Sequence, residues 1–270
     1  EAGLTPAVNT ELGYATLLTE TEREWVLDRT RVVLGGAPFI AGAYFRDTPA
    51  KAFDLCGHLA AVAKVEEYGG TPLVYPSFGM QKLGAPDLAD AFVGIGEATD
   101  DFLLLELADA THPFGLALTD EAFCALLRVP SCRGLVHRSS TRCQEWARLA
   151  VRDLQRPEFR IITANELAID MHAFGSDYLL GLATVAPDVF AERDRAWSTG
   201  DPSYYEHNDA LQALGSFAFR DPFLAGPAQC AQVLKLRGWI TTDVTHRRAN
   251  QRPGHDVSVL RVFAQRLGMV

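Results

Sequence analysis

Short, continuously apolar runs alternate along the chain with longer amphipathic ones. The short runs are PFIAGA (38–43), PLVYP (72–76), FLLLEL (102–107), RGLVH (133–137), FRIIT (159–163) and DYLLGL (177–182). They are apolar throughout rather than at every second position, which predicts parallel strands covered on both faces. PAVN (6–9) predicts the end of one more strand. The helices between them are marked by their start signals. Thr19 and Glu22 make a T-x-x-E capping box ahead of an amphipathic run to about Val33. Thr48 before Pro49 predicts an N-cap with proline at the first helical position. Thr119 precedes two acids, which suit the positive end of a helix dipole. Ser140 or Thr141 opens RCQEWARLAVRDL, and the glycines at 35, 36, 69 and 70 sit where helix C-caps belong.

Repeated strand–helix units predict a parallel sheet with right-handed crossovers. After Leu182 only helical patterns remain: APDVFAERDRAW, YYEHNDALQALGSFAF, AQCAQVLKLRGW and VSVLRVFAQRLG. The expected fold is α/β, a TIM (β/α)8 barrel over 1–184 with C-terminal helices over 185–270 packed on it as one structural unit. Seven strands are visible where a closed barrel needs eight, and an open barrel would expose two unpaired edges. The first strand and helix are therefore expected to precede Glu1, in a protein of about 300 residues.

Composition narrows the function classes. The 270 residues are 48% hydrophobic and 22% charged, an ordinary globular balance. A net charge of -9 counts against a nucleic-acid groove and an anionic membrane surface. No apolar run reaches the ~18 residues of a membrane span. Five scattered cysteines without a CxxC pair, and no signal-peptide pattern, point to a reduced cytoplasmic setting. There is no glycine-rich phosphate loop, no HxH or HExxH and no GxSxG, so no dinucleotide, metal or other cofactor and no serine nucleophile is expected.

In such a barrel the chemistry lies at the C-terminal ends of the strands. Those ends carry Asn9, Thr10 and Glu11; Tyr44 and Arg46; Ser77 and Phe78; Glu106 and Asp109; His137 to Ser140; and Asn165 with Glu166. Glu106 follows three leucines, where burial raises a carboxyl pKa and suits acid–base work. Glu106 and His137 are therefore the predicted catalytic residues. Asn9, Thr10, Tyr44, Ser77, Arg138, Ser139, Asn165 and Glu166 are the predicted substrate-binding set. His112, in ATHPFG, reads as a loop residue.

Five segments carry a resemblance: NTELGYATLLTETEREWVL, FIAGAY, RGLVHRSSTRCQEWARL, ANELAIDMHAFGSDYLLGL and APDVFAERDRAW. The chain resembles the dihydrodipicolinate synthase / N-acetylneuraminate lyase superfamily of class I aldolases over nearly its whole length, most specifically from Thr163 to Trp197. The resemblance implies an eight-stranded α/β barrel with C-terminal helices, assembled as a homodimer or homotetramer. It also implies a lysine Schiff base with pyruvate or a related 2-oxo acid. The residues depart from that chemistry. Where the family's sixth strand ends G-[IL]-K, this chain has Gly134-Leu135-Val136, and valine cannot form an imine. The YNxP-like tyrosine has no counterpart in LLLELADATHPFG, and the PYY tyrosine corresponds to Phe78 in YPSFG. The GTTGE carboxylate-binding turn becomes VNTELG, with Asn9 and Thr10 near the matching positions. Strand parity puts Arg138 on the side of Val136, where a guanidinium would hold a carboxylate without acting as a nucleophile.

The expected function is a lyase of this type that acts on or binds a small 2-oxo acid or other carboxylate without a Schiff base. The alternative is a catalytically silent relative that binds a small acid or a partner protein. A third reading takes the amine from Lys82, in the loop after PLVYP.

Overall fold

The computed structural model describes residues 2–107, 112–137 and 141–270. It divides into two compact units. The first, over Thr5–Ala164 and Gly175–Tyr178, contains seven strands among the described residues. They are β1 (Ala7–Val8), β2 (Ile40–Ala43), β3 (Thr71–Val74), β4 (Phe102–Leu105), β5 (Cys132–His137), β6 (Arg160–Thr163) and β7 (Asp177–Tyr178). Every neighbouring pair is parallel and the spatial order is the sequence order. That is the winding of an α/β barrel; a doubly wound sheet reverses its strand order at a switch point.

The helices of this unit are α1 (Glu20–Leu34), α2 (Leu55–Glu67), α3 (Phe78–Gln81), α4 (Ala85–Gly96), α5 (Asp120–Leu126) and α6 (Arg142–Gln155). Both halves of the Thr19–Glu22 capping box form, and Gly35 ends α1 in the left-handed region at φ 59°. Thr119 caps α5 through the amide of Ala122. The Thr48–Pro49 signal does not open a helix. The chain turns there, with the amide of Lys51 donating to the carbonyl of Thr48, and α2 begins later. Asp54 takes the cap instead, accepting from the amide of Gly57 at 2.9 Å.

Register decides which side chains share a face. Gly42, Leu73, Leu103 and Gly134 lie in line across β2 to β5, as do Leu105, Val136 and Ile162 across β4 to β6. These form one face, because side chains alternate along a strand. Leu104, Leu135 and Ile161 form the other, followed by His137 and Thr163. The second face is the helix-covered one, since α6 lays Glu145 and Arg148 against it. Both faces are apolar at mid-strand: Leu73, Leu104, Leu135, Val136 and Ile161 are all buried.

The second unit, over Asn165–Phe174 and Leu179–Val270, is helical. It holds α7 (Gly181–Val185), α8 (Pro187–Thr199), α9 (Ser203–Ala218), α10 (Gly226–Leu236) and α11 (Asp256–Arg266). The last four match the predicted helical runs. DYLLGL does not run on as a strand. Only Asp177 and Tyr178 pair with β6, and the chain turns helical at Gly181. The cause is Glu166, whose buried carboxylate accepts from the amides of Gly181 and Leu182 and so caps α7. No helix of the described residues is long and apolar enough to cross a membrane.

Candidate functional site

The strand ends carry two polar assemblies, both within the sheet-bearing unit, on opposite faces of the sheet. The first is on the helix-covered face. Glu106 follows β4 and His137 ends β5, each one residue beyond the Leu105–Val136 pair, so both point away from the face of Val136. The carboxylate Oε2 of Glu106 lies 3.0 Å from His137 Nδ1 and accepts from Arg148 Nη1 at 2.5 Å. That guanidinium nitrogen is also 2.7 Å from His137 Nδ1. Glu106, His137 and Arg148 are 3%, 1% and 1% exposed. The assembly also grips one backbone residue at both ends. The amide of Leu118 donates to Glu106 Oε1 at 2.7 Å, and Arg148 Nη2 donates to its carbonyl at 2.8 Å. Beneath, Arg148 stacks over the Phe123 ring of α5 at 5.2 Å.

This arrangement corrects the expected electrostatics of Glu106. Burial by itself pushes its pKa up, but the His137 ring and the Arg148 guanidinium outweigh burial and hold it below the ordinary carboxylate range. Glu106 is a fixed anion, with each oxygen accepting a hydrogen bond. A second buried carboxylate lies nearby on α6. Glu145 accepts from Ser176 Oγ at 2.6 Å and from Thr163 Oγ1 at 3.2 Å.

The second assembly follows the ends of β1 to β4 on the face of Val136. Tyr44 and Tyr75 stand two residues beyond Gly42 and Leu73, in line with them. A Cβ on Gly42 would lie 2.0 Å from the carbonyl oxygen of Asn9 and 2.8 Å from the Tyr75 ring, so only glycine admits this approach. A circuit of contacts follows. The Tyr75 hydroxyl donates to the Asn9 carbonyl at 3.4 Å. Tyr75 meets Tyr44 edge-on with centroids 5.5 Å apart, and Tyr44 stands 5.9 Å from Phe114. Phe114 meets His112 at 5.5 Å and Phe78 at 5.6 Å. His112 Nδ1 lies 3.5 Å from Glu11 Oε1, and Glu11 is two residues after Asn9, which closes the circuit. Arg23 braces it from outside, 5.2 Å over the Tyr44 ring, with Nη1 donating to the carbonyls of Ala15 and Leu18. Burial pushes the Arg23 pKa down, and Tyr44 and Glu20 pull against that shift.

The predicted substrate-binding residues divide between the two units. In the sheet-bearing unit, Asn9 is buried at φ 50°, a conformation asparagine tolerates. Its Nδ2 donates to the Arg23 carbonyl at 3.0 Å, while Oδ1 has no hydrogen-bond partner among the described residues. Thr10 is half-buried, and its carbonyl accepts from the amide of Ala15. Tyr44 belongs to the circuit. Ser77 caps α3 through the amide of Met80 and meets His58 Nε2 at 3.1 Å, so its hydroxyl serves the local fold. In the helical unit, Asn165 Oδ1 accepts from the amide of Leu167 at 2.9 Å, and Glu166 is the α7 cap described above. Asp109, Arg138, Ser139 and Ser140 lie outside the described residues. Lys82 is exposed, and its ammonium donates to the carbonyls of Pro49 and Lys51. Among the described residues, no three His, Cys, Asp or Glu side chains are grouped so as to hold a metal ion.

The sequence pattern did not point to Arg148, Tyr75 or Phe114; it placed Glu11 among the strand-end residues and His112 in a loop, without joining them. Arg148 carried a readable signal, because Glu145 and Arg148 are charged residues three apart on the stripe that includes Leu149. The circuit carried none, because its members meet only through loops.

No protein-family model matches the chain, and no curated protein matches it. Solved structures do. Dihydrodipicolinate synthase from Thermotoga maritima aligns over 100% of this chain and 89% of its own, at 19% identity and a TM-score of 0.83. The Acinetobacter baumannii enzyme of that name, chloride-inhibited and complexed with pyruvate, aligns over 100% and 89% at 16% identity and a TM-score of 0.80. A catalytic lysine mutant of Ruminococcus gnavus sialic acid aldolase aligns over 98% and 84% at 15% identity and a TM-score of 0.79. The chain has the fold of these proteins, which is the fold that its sequence resemblance implies.

Proposed function

We propose that this chain binds a small 2-oxo acid or related carboxylate and acts on it as a lyase of the aldolase type without forming a Schiff base. The observation that carries this reading is Val136. It is fully buried in β5, in register with Leu105 and Ile162, at the position where the resemblance places the lysine. In this reading none of the four lysines replaces it. Lys82 is held by backbone carbonyls, Lys64 pairs with Glu24 and Glu67, Lys235 pairs with Asp243, and Lys51 is exposed. The R. gnavus aldolase supports the premise that the fold does not need its lysine, since that structure is itself a catalytic lysine mutant. The A. baumannii structure holds pyruvate, which makes pyruvate the first acid to try.

In this reading Arg138 anchors the substrate carboxylate, and Glu106 and His137 position the strand ends from behind. The test pairs calorimetry with borohydride reduction. Pyruvate or another small 2-oxo acid is expected to give a saturable heat, weakened by Arg138→Ala, and reduction is expected to add no mass. A trapped adduct would overturn the non-covalent reading. No heat with any of these acids would overturn the ligand class. The loss of the lysine together with both family tyrosines favours a second reading, a silent binder, and an assay for carbon–carbon cleavage separates the two.

A further inference from the structure

The contact circuit holds an imidazole and a carboxylate to which the resemblance gives no role. Glu11 and His112 are each 7% exposed by side chain and 3.5 Å apart, in the loops that follow β1 and β4. They approach from segments about a hundred residues apart in sequence, so neither can owe its place to local chain geometry. Phe114 meets the His112 ring at 5.5 Å, tilted by 58°, and also contacts Tyr44 and Phe78. The wall is aromatic on one side and polar on the other. The buried Asn9 Oδ1, without a partner among the described residues, lies two residues from Glu11. A buried carboxylate 3.5 Å from one imidazole nitrogen is within reach of a general-base arrangement, in which the carboxylate orients the ring through that nitrogen once substrate draws the site together.

We infer that Glu11 and His112 are the proton-transfer pair of this site, acting on the carbon next to the carbonyl of a bound small 2-oxo acid. This rests on the ligand class proposed above. His112 is the catalytic base and Glu11 its positioning residue. The step balances without any co-reactant. The imidazole nitrogen remote from Glu11 takes a proton from the α-carbon. The C–H electron pair becomes the enolate double bond, and the carbonyl pair moves to oxygen. In reverse, the imidazolium returns a proton that has exchanged with solvent. The chemistry that other folds of this kind route through an imine is thereby replaced by direct enolisation.

The test follows proton exchange at the methyl group of pyruvate in deuterium oxide by NMR, with binding measured separately by calorimetry. The wild-type chain is expected to speed exchange over buffer. His112→Gln is expected to lose about 100-fold of that rate, the scale of one general base, with pyruvate affinity held within a few-fold. Glu11→Gln is expected to lose about tenfold and to shift the pH profile of the remaining rate. Pyruvate binding without wild-type exchange would overturn the pair while leaving the ligand class standing. Exchange unchanged in a folded His112→Gln would overturn it as well. If His112→Gln does not fold, the Glu11→Gln pH profile decides, and an unshifted profile rejects the pair. Absence of binding by wild type overturns the ligand class and the pair together.

Discussion

The two polar assemblies differ in what surrounds them. On the helix-covered face, Glu106, His137 and Arg148 bond one another and two backbone groups of Leu118, while His137 Nε2 and Arg148 Nε have no hydrogen-bond partner among the described residues. On the Val136 face, Glu11 and His112 meet at 3.5 Å, and Phe114 joins His112 to Tyr44 and Phe78. The first set has the marks of a structural ion pair: short bonds, deep burial, and a carboxylate held ionised. The second brings a carboxylate and an imidazole together at 3.5 Å, with the Phe114 ring beside the imidazole. A polar residue at the end of a strand is thus weak evidence of chemistry until its face is known. A shift of one residue along the strand separates a group behind the sheet from one in front of it.

The comparison can be broken by mutation. The largest effect is expected from Glu106→Ala, which leaves the Arg148 guanidinium buried and unpaired. A loss of about 3–5 kcal/mol is expected in urea unfolding. The double variant Glu106→Leu with Arg148→Met should recover only part of that loss, because it removes the unpaired charge but leaves the Leu118 amide and carbonyl without partners. It should also still bind a 2-oxo acid. A stable double variant without binding would move the chemistry to the helix-covered face and undo the distinction.

The next effect concerns a third buried imidazole. His58 lies between Phe45 and Phe53, at 4.7 and 5.3 Å, with Ser77 on its Nε2. Burial pushes its pKa from 6.5 down to about 4, against the pull of Asp47 and Asp54. A folded-state pKa below the unfolded value stabilises above the unfolded pKa. That stability is lost as pH falls from about 6.5 towards 4, and amounts to about 3 kcal/mol. His58→Phe should flatten the slope of unfolding free energy in that window. An unchanged slope would mean that His58 is not the group responsible. Glu106 adds a second loss at lower pH, since its depressed pKa withdraws stability only below the ordinary carboxylate range.

The smallest effect is expected at Lys82. Its ammonium binds loop carbonyls at the surface, so Lys82→Ala should change stability by no more than about 0.5 kcal/mol. Ligand affinity should be unaltered. A large loss of binding would restore the lysine-based reading.

Most of the fold was legible because its signals are local. Continuous apolar runs marked β2 to β6, and the T-x-x-E box marked α1. The last four helices read directly from their apolar spacing. DYLLGL misled because its helical second half is imposed by Glu166, a cap thirteen residues before Leu179 that no local pattern reveals. Thr48–Pro49 misled because Asp54 competes for the same role. The site was less legible. Glu106 was found, but its neighbours reversed its expected pKa, and Arg148 comes from a helix 42 residues further on. His112 was read correctly as a loop residue, but its approach to Glu11 exists only once the loops after β1 and β4 are placed.

The grip on Leu118 has a consequence for observation. Its amide proton is held by a carboxylate that a buried guanidinium in turn holds in place. Solvent can reach that proton only when the ion pair opens, so its hydrogen–deuterium exchange should be among the slowest outside the strands. A single amide resonance would then report whether the segment returning from β4 is locked. That gives a measure of local opening which needs no substrate and no assay.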